Sequence, residues 1–237
     1  MSAKENITGQ RTVAVIDIGT TSVRMAIAEI SPAGTIQILE HLSQAVNLGK
    51  DTFTRGRIHR DTIEECAQVL KSYQQILGEY GIQSPDDLRV VATSAVREST
   101  NRLAFLDRIY IATGIEIDPM DEAEISRITY LGIQAELERL GTSTDTVVCE
   151  VGGGSTELLL VRNGQVQFSH TYNLGSLRLR KAVETYNAPI VQSRQLMESQ
   201  IQRTIDMLHE QMPVGQQRNL VALGGDIRFA ASQLIED

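Results

Sequence analysis

The stretch Val147–Val161, VVCEVGGGSTELLLV, constrains this chain more than any other, because it joins two apolar runs through a carboxylate and a triple glycine. One apolar run entering and another leaving predict two strands around a tight loop. Glycine tolerates positive φ and leaves no side chain between backbone and ligand, so N–H groups from Gly152 to Ser155 can converge on an anion, phosphate being the natural candidate. Taken alone, the stretch reads equally well as a hairpin with a glycine bulge. It has a second copy. Ala14–Glu29, AVIDIGTTSVRMAIAE, lies over Val147–Arg162, with Asp17 on Glu150, Gly19 on Gly152 and Ser22 on Ser155. The offset is 133 residues (150 − 17), well beyond the roughly 20 to 50 residues of a solenoid repeat. It therefore implies a duplicated lobe.

A chain of 237 residues has room for two lobes with a core each. No apolar run approaches the roughly 18 residues that span a bilayer, and Met1–Gln10 is polar without a signal-peptide core. The expectation is a cytoplasmic protein with no membrane partner. Cys66 and Cys149 have no metal or redox spacing and read as buried structural thiols, and the four histidines have no ligand spacing. A net charge of −8 argues against nucleic acid as a partner. Anion binding must then be local, through backbone amides and a few arginines.

In chain order, strands are predicted at Thr12–Ile18, Val23–Ile30 and Thr35–Val46, followed by a loop over Leu48–Arg57 and a helix over Arg60–Leu77. A strand at Leu88–Thr93, a helix at Thr100–Ala112, a brief strand at Ile115–Ile117 and a helix at Asp121–Leu140 complete a first lobe, residues 1–140. The second lobe, 141–237, repeats the opening: the central hairpin, a third strand at Gln165–Tyr172, helices at Ser176–Tyr186 and Val191–Met212, a strand at Asn219–Leu223, a Gly224-Gly225 turn and a helix at Asp226–Ile235. It has room for one strand-and-helix unit where the first has two. Gly141–Asp145 is the expected hinge.

Two lobes, each with a carboxylate and a phosphate loop, resemble the superfamily of actin, sugar kinases and heat-shock ATPases. The expected fold is α/β, with two actin-like (ribonuclease H-like) lobes of five-stranded type, the second incomplete. Within that superfamily the motifs are most similar to the exopolyphosphatase and guanosine pentaphosphate phosphohydrolase family. Asp17-Ile-Gly-Thr-Thr-Ser22 resembles its first phosphate loop, and Val91-Ala-Thr-Ser-Ala-Val-Arg97 with Asn101 its Ala-Thr-x-Ala-x-Arg segment. Glu150-Val-Gly-Gly-Gly-Ser-Thr-Glu157 resembles its second loop, Leu174-Gly-Ser-Leu-Arg178 its Leu-Gly-x-x-Arg element, and Ala222-Leu-Gly-Gly225 its late glycine turn. The chain departs from the pattern at Glu150, where the family has Asp. It departs again at Ile125, where an ungapped register back from Gly132 puts the family's catalytic Glu.

The resemblance implies a Mg²⁺-dependent phosphohydrolase acting on inorganic polyphosphate or guanosine pentaphosphate, with Asp17 and Glu150 as joint metal ligands. Gly19, Thr20, Thr21 and Ser22, Gly152, Gly153, Gly154, Ser155 and Thr156, and the guanidinium groups of Arg97 and Arg178 are the expected phosphate contacts. Arg24 and Arg178 read equally well as solvated surface cations. The water-orienting carboxylate is assigned to Glu124 by adjacency to Ile125, with Glu122, one turn before Ile125, as the alternative; Ile125, Ile128, Gly132 and Ala135 form the expected buried stripe of that helix. Family members often dimerise, so a homodimer is among the expectations. Two other readings stay open: a nucleotide-dependent kinase or ATPase, encouraged by the sugar-kinase look of GTTSVR, and a phosphate or nucleotide sensor that lost its base.

Overall fold

The computed structural model describes residues 9–141, 145–185, 189–212 and 218–234. The chain runs β1 (Arg11–Ile18), β2 (Ser22–Ile30), β3 (Ile36–Ala45), α1 (Leu48–Arg55), α2 (Arg60–Glu79), β4 (Leu88–Ala92), α3 (Ser94–Arg97), α4 (Arg102–Thr113), β5 (Asp118–Pro119), α5 (Glu122–Gly132) and α6 (Gln134–Leu140). It continues through β6 (Asp145–Val151), β7 (Thr156–Arg162), β8 (Gln165–Tyr172), α7 (Ser176–Thr185), α8 (Ile190–Gln211), β9 (Arg218–Leu223) and α9 (Gly225–Leu234).

The sequence repeat is a repeat of topology. One sheet has the order β3-β2-β1-β4-β5 and the other β8-β7-β6-β9. In each, the first three strands form an antiparallel meander and a later strand joins the first in parallel. The register agrees to the residue: Asp17 faces Arg24 and Val91, while Glu150 faces Glu157 and Leu223. Each repeat therefore ends its first strand in a carboxylate just before the glycine loop. The second sheet has four strands among the described residues, in keeping with its single strand-and-helix unit.

Alternation drives the first core. Ala14, Ile16 and Ile18 of β1 and Val23, Met25 and Ile27 of β2 point to one face, where they pack in a cluster with Cys66, Leu70 and Tyr73 of α2 and Phe105 and Ile109 of α4. Each fully buried side chain of this kind contributes about 1.5–3 kcal/mol. Tyr73 keeps its hydroxyl satisfied by donating to Val23 O at 3.0 Å.

The packing divides the chain between Pro119 and Met120, not at residues 140 and 141 as the sequence suggests. The reason is α5, which belongs to the second sheet. Thr129 donates to Glu150 Oε2 at 3.0 Å, Ser169 of β8 donates to Ser126 at 2.7 Å, and Ile133 packs with Val148, Leu159 and Val161. The expected hinge is described only at its ends, since 142–144 lie outside the described residues.

Other expectations need correction. Leu48–Arg57 is not a loop: α1 runs through it, burying Leu48, Gly49 and Thr52, and Gly56 closes it at φ 70° with its N–H on Thr52 O. The helix over Asp121–Leu140 is two helices, broken at Ile133. The face α5 buries is Ser126 and Thr129, whereas Ile128 is 46% exposed and Gly132 and Ala135 face solvent. The strand expected at Ile115–Ile117 pairs instead at Asp118–Pro119. Tyr186 and Ile235, expected helix ends, lie outside the described residues.

Candidate active site

The second glycine loop is held from below by α7. Ser176 N donates to Gly152 O at 3.1 Å, Arg178 N to Gly153 O at 3.0 Å, and Arg178 Nε to Gly154 O at 2.7 Å. Two amides at the start of α7, which have no partner within the helix, are thus satisfied by the loop. In a trans peptide the C=O and the following N–H point in opposite senses, and no cis peptide occurs among the described residues. Three carbonyls turned toward α7 therefore turn the N–H groups of Gly153, Gly154 and Ser155 the other way, side by side, as a donor array suited to phosphate oxygens. A Cβ on Gly175 would sit 2.4–2.5 Å from backbone atoms of Gly153 and Gly154, so the close approach of α7 requires glycine there. Gly224 has the same role against Val151, with φ 110° and an added Cβ 2.3 Å from Val151 O.

The first loop closes by the same bond. Gly19 N donates to Ser22 O at 3.0 Å, as Gly152 N does to Ser155 O at 2.9 Å. Its carbonyls are also held: Gly49 N, in the first turn of α1, donates to Thr20 O at 2.8 Å, and Val46 N to Thr21 O at 3.1 Å. By the same peptide geometry the N–H of Thr21 turns away from α1 and that of Ser22 away from Val46. The buried Thr20 hydroxyl lies 3.4 Å from that of Ser94 at the start of α3, so its side chain serves packing while its backbone shapes the loop. α3 carries Arg97, half-buried, and is braced on α1 by Thr52 Oγ1 donating to Ala95 O at 2.8 Å. Asn101, part of the sequence motif, clamps Ile58 through both its amide atoms at 2.9 Å, a structural task.

The carboxylates differ between the repeats. Asp17, with a buried Oδ1, stands across from the exposed Arg24, whose Nε donates to Ser22 Oγ at 3.2 Å. Glu150 stands directly across from Glu157, which is 6% exposed, and directly opposed residues share a sheet face. Thr171 continues the row on β8, opposite Glu157, and its buried Oγ1 has no protein partner. Ser155 donates to Glu157 Oε1 at 2.6 Å and Thr129 to Glu150 Oε2. Two like charges side by side are destabilising without a counterion. Mg²⁺ is commonly held by one or two carboxylates, with substrate phosphates and water completing its shell, so this pair fits the ion. No cluster of three or more ligating side chains occurs among the described residues. Both carboxylates, after burial itself, push the Cys149 thiol above its ordinary pKa, which leaves it protonated and no nucleophile. Glu157 was legible as the residue seven beyond Glu150, a spacing that a four-residue hairpin loop, 152–155, turns into a facing pair.

At the start of α5, Asp121 caps the helix by accepting from Glu124 N at 2.8 Å. Glu124 is half-buried at the third helical position, and Glu122 is exposed in the first turn. Asp17, Arg97 and the 19–22 loop belong to the first unit; Glu122, Glu124, Glu150, the 152–156 loop and Arg178 belong to the second. Arg178, expected on phosphate, is engaged with the loop itself.

A family model described as the Ppx/GppA phosphatase family matches residues 26–234. The chain belongs to that family. It is 30% identical over 171 residues to the bifunctional 3-dehydroquinate synthase/phosphatase of Fusobacterium nucleatum subsp. nucleatum, covering 70% of this chain and 25% of that protein. It is 26% identical over 221 residues to exopolyphosphatase 2 of Mycobacterium tuberculosis, covering 90% and 67%. The crystal structure of the Aquifex aeolicus Ppx/GppA family member superposes with a TM-score of 0.69 at 28% identity, covering 94% of this chain and 70% of that one. The chain thus spans a quarter of one curated relative and about two thirds of the other. Among the described residues, no helix is long and apolar enough to cross a membrane.

Proposed function

We propose that this Ppx/GppA family chain releases the terminal phosphate of inorganic polyphosphate, or the 5′ γ-phosphate of guanosine pentaphosphate, in a Mg²⁺-dependent reaction. One observation carries the reading: the Glu150–Glu157 pair stands immediately before and after a loop whose Gly153, Gly154 and Ser155 amides are turned away from α7 by three pinned carbonyls. Carboxylates repel phosphate, so a cation is needed to join the two features.

In this mechanism Glu150 and Glu157 would hold Mg²⁺. The ion, when bound, offsets phosphate charge and supplies Lewis acidity. The Gly153, Gly154 and Ser155 amides hold non-bridging oxygens of the terminal phosphate as charge redistributes. Glu124 orients a water for in-line attack on phosphorus. The bond to the bridging oxygen breaks, and the leaving oxygen departs on the shortened chain. Arg178 keeps the amides aligned by fixing Gly154 O.

The test is phosphate release from polyphosphate, guanosine pentaphosphate and ATP, each with and without Mg²⁺. Metal-dependent release from one of the first two, lost in Glu157→Gln and Glu150→Gln with the fold intact, is the expected result. Release from ATP alone would favour a nucleotide-dependent enzyme. Binding without turnover would favour the sensor, the reading encouraged by Ile125 at the position of the family base.

A further inference from the structure

On the face of the second sheet that α5 covers, the side chains change character along the strands. Val148, Leu159 and Val161 make its apolar part with Ile133, and toward the glycine loop the alternation places Glu150 on β6, Glu157 on β7, and Ser169 and Thr171 on β8. A covered face of this kind pairs the polar groups it buries, because an unpaired one lowers stability. Ser169 donates to Ser126 at 2.7 Å, Thr129 to Glu150 Oε2 at 3.0 Å, and Ser155 to Glu157 Oε1 at 2.6 Å. Thr171 departs from this rule. It is 8% exposed, and its Oγ1, closed to solvent, has no hydrogen-bond partner among the described residues.

Packing does not account for a threonine here, since valine has the same shape and would fill the space without leaving a hydroxyl unpaired. The register supplies a reason. Thr171 stands directly across from Glu157, which stands directly across from Glu150, so the three form a row over adjacent strands. Opposed side chains in such a row have Cβ atoms about 4.5–5.5 Å apart, and threonine redirects its hydroxyl by a single turn about χ1 between staggered positions. Carboxylates that ligate a metal are themselves held by hydrogen bonds, which fix their orientation. Thr129 does this for Glu150, and Ser155 for one oxygen of Glu157.

We infer that Thr171 is a positioning residue for the carboxylate pair: with Mg²⁺ bound, its hydroxyl donates to Glu157, which Ser155 and Thr171 then grip from the loop and from the neighbouring strand. The inference rests on the proposed reading of Glu150 and Glu157 as the metal carboxylates and deepens it. In the ion-free protein the hydroxyl is a stored cost, and binding the ion gives it a partner.

The experiment measures Mg²⁺ affinity of the full chain by calorimetry without substrate, together with melting temperature in the absence of Mg²⁺. The proteins are the parent, Thr171→Val, Thr171→Ser, Glu157→Gln, the double variant Thr171→Val/Glu157→Gln, and Thr113→Val as a control whose hydroxyl is already paired, donating to Ile109 O at 2.8 Å. Thr171→Val is expected to weaken Mg²⁺ binding about tenfold or more while raising the ion-free melting temperature by a few degrees. Thr171→Ser is expected to restore the affinity, and Thr113→Val to lower the melting temperature with the affinity unchanged. In the Glu157→Gln background, Thr171→Val is expected to have no further effect on affinity. A lowered melting temperature with unchanged affinity in Thr171→Val would make the residue purely structural, and an additive loss in the double variant would show that it does not act through Glu157. Either result overturns the inference and leaves the carboxylate pair standing. A parent that binds no Mg²⁺, or binds it equally well as Glu157→Gln, overturns the metal reading and the role of Thr171 with it.

Discussion

At the scale of single residues, two glycines of the same composition have opposite consequences. Gly175→Ala would force a Cβ to within 2.4–2.5 Å of the Gly153 and Gly154 backbone. Relief must come from backbone movement, so a loss of about 1–3 kcal/mol or more is expected, together with collapse of phosphate release as the Gly153–Ser155 amides lose alignment. Gly78→Ala, with nothing within 4 Å near the end of α2, is expected to stabilise by about 0.4–1 kcal/mol. Melting temperature and phosphate release on the two variants check both. Cys66 gives a pH prediction. Burial pushes its thiol from 9.0 up to about 12. Between those values the unfolded chain gives up the proton while the folded one keeps it, so this group's contribution to stability is intact below pH 9 and falls as pH rises toward 12. Native protein at pH 8 is expected to resist thiol alkylation at Cys66, and unfolded protein to react promptly.

At the scale of elements, the strands were readable because each sheet follows a period of two, and the loops because the duplication doubles a weak signal. α5 shows where such reading stops. An apolar stripe through Ile125 and Ile128 was the natural inference, but α5 covers the carboxylate end of a sheet, and there it presents hydroxyls: Ser126 to Ser169 and Thr129 to Glu150. Hydrophobic periodicity cannot find a helix face whose partners are polar. α1 escaped for a different reason, since eight residues with a glycine inside and another at the end resemble a loop until Gly49 is seen packed on Thr20 O. The corrected phase sharpens the choice of base. Glu124 is half-buried with its N–H fixed by Asp121, whereas Glu122 is exposed. Glu124→Gln is expected to slow phosphate release by about 10² to 10⁴, and Glu122→Gln to leave it nearly intact. Ile125→Glu, which supplies the family pattern's carboxylate, is expected to rescue Glu124→Gln in part; equal rates for parent and both glutamine variants would move the base elsewhere.

At the scale of the whole molecule, the unit boundary decides which pieces stand alone. The first unit has a continuous apolar cluster from Ala14 through Ile115, built by β1, β2, β4, α2 and α4, and none of it draws on residues beyond Pro119. The second depends on α5 and α6: Ile133 joins Val148, Leu159 and Val161, and Tyr130 and Leu137 pack on that cluster. Removing those helices would uncover that face of the sheet and leave Glu150 without its Thr129 donor. Four fragments then separate the boundary read from sequence from the one set by packing. Residues 1–119 are expected to melt cooperatively, and 1–140 at nearly the same temperature, because its added helices have no sheet to cover. Residues 120–237 are expected to retain structure that 141–237 lacks, since the latter exposes about 25 cal/mol of hydrophobic free energy per Å² of apolar surface uncovered. Circular dichroism melts and amide exchange on the four pieces measure this. A 141–237 fragment as stable as 120–237, or a 1–140 fragment markedly more stable than 1–119, would return α5 to the first unit and detach Thr129 from the site.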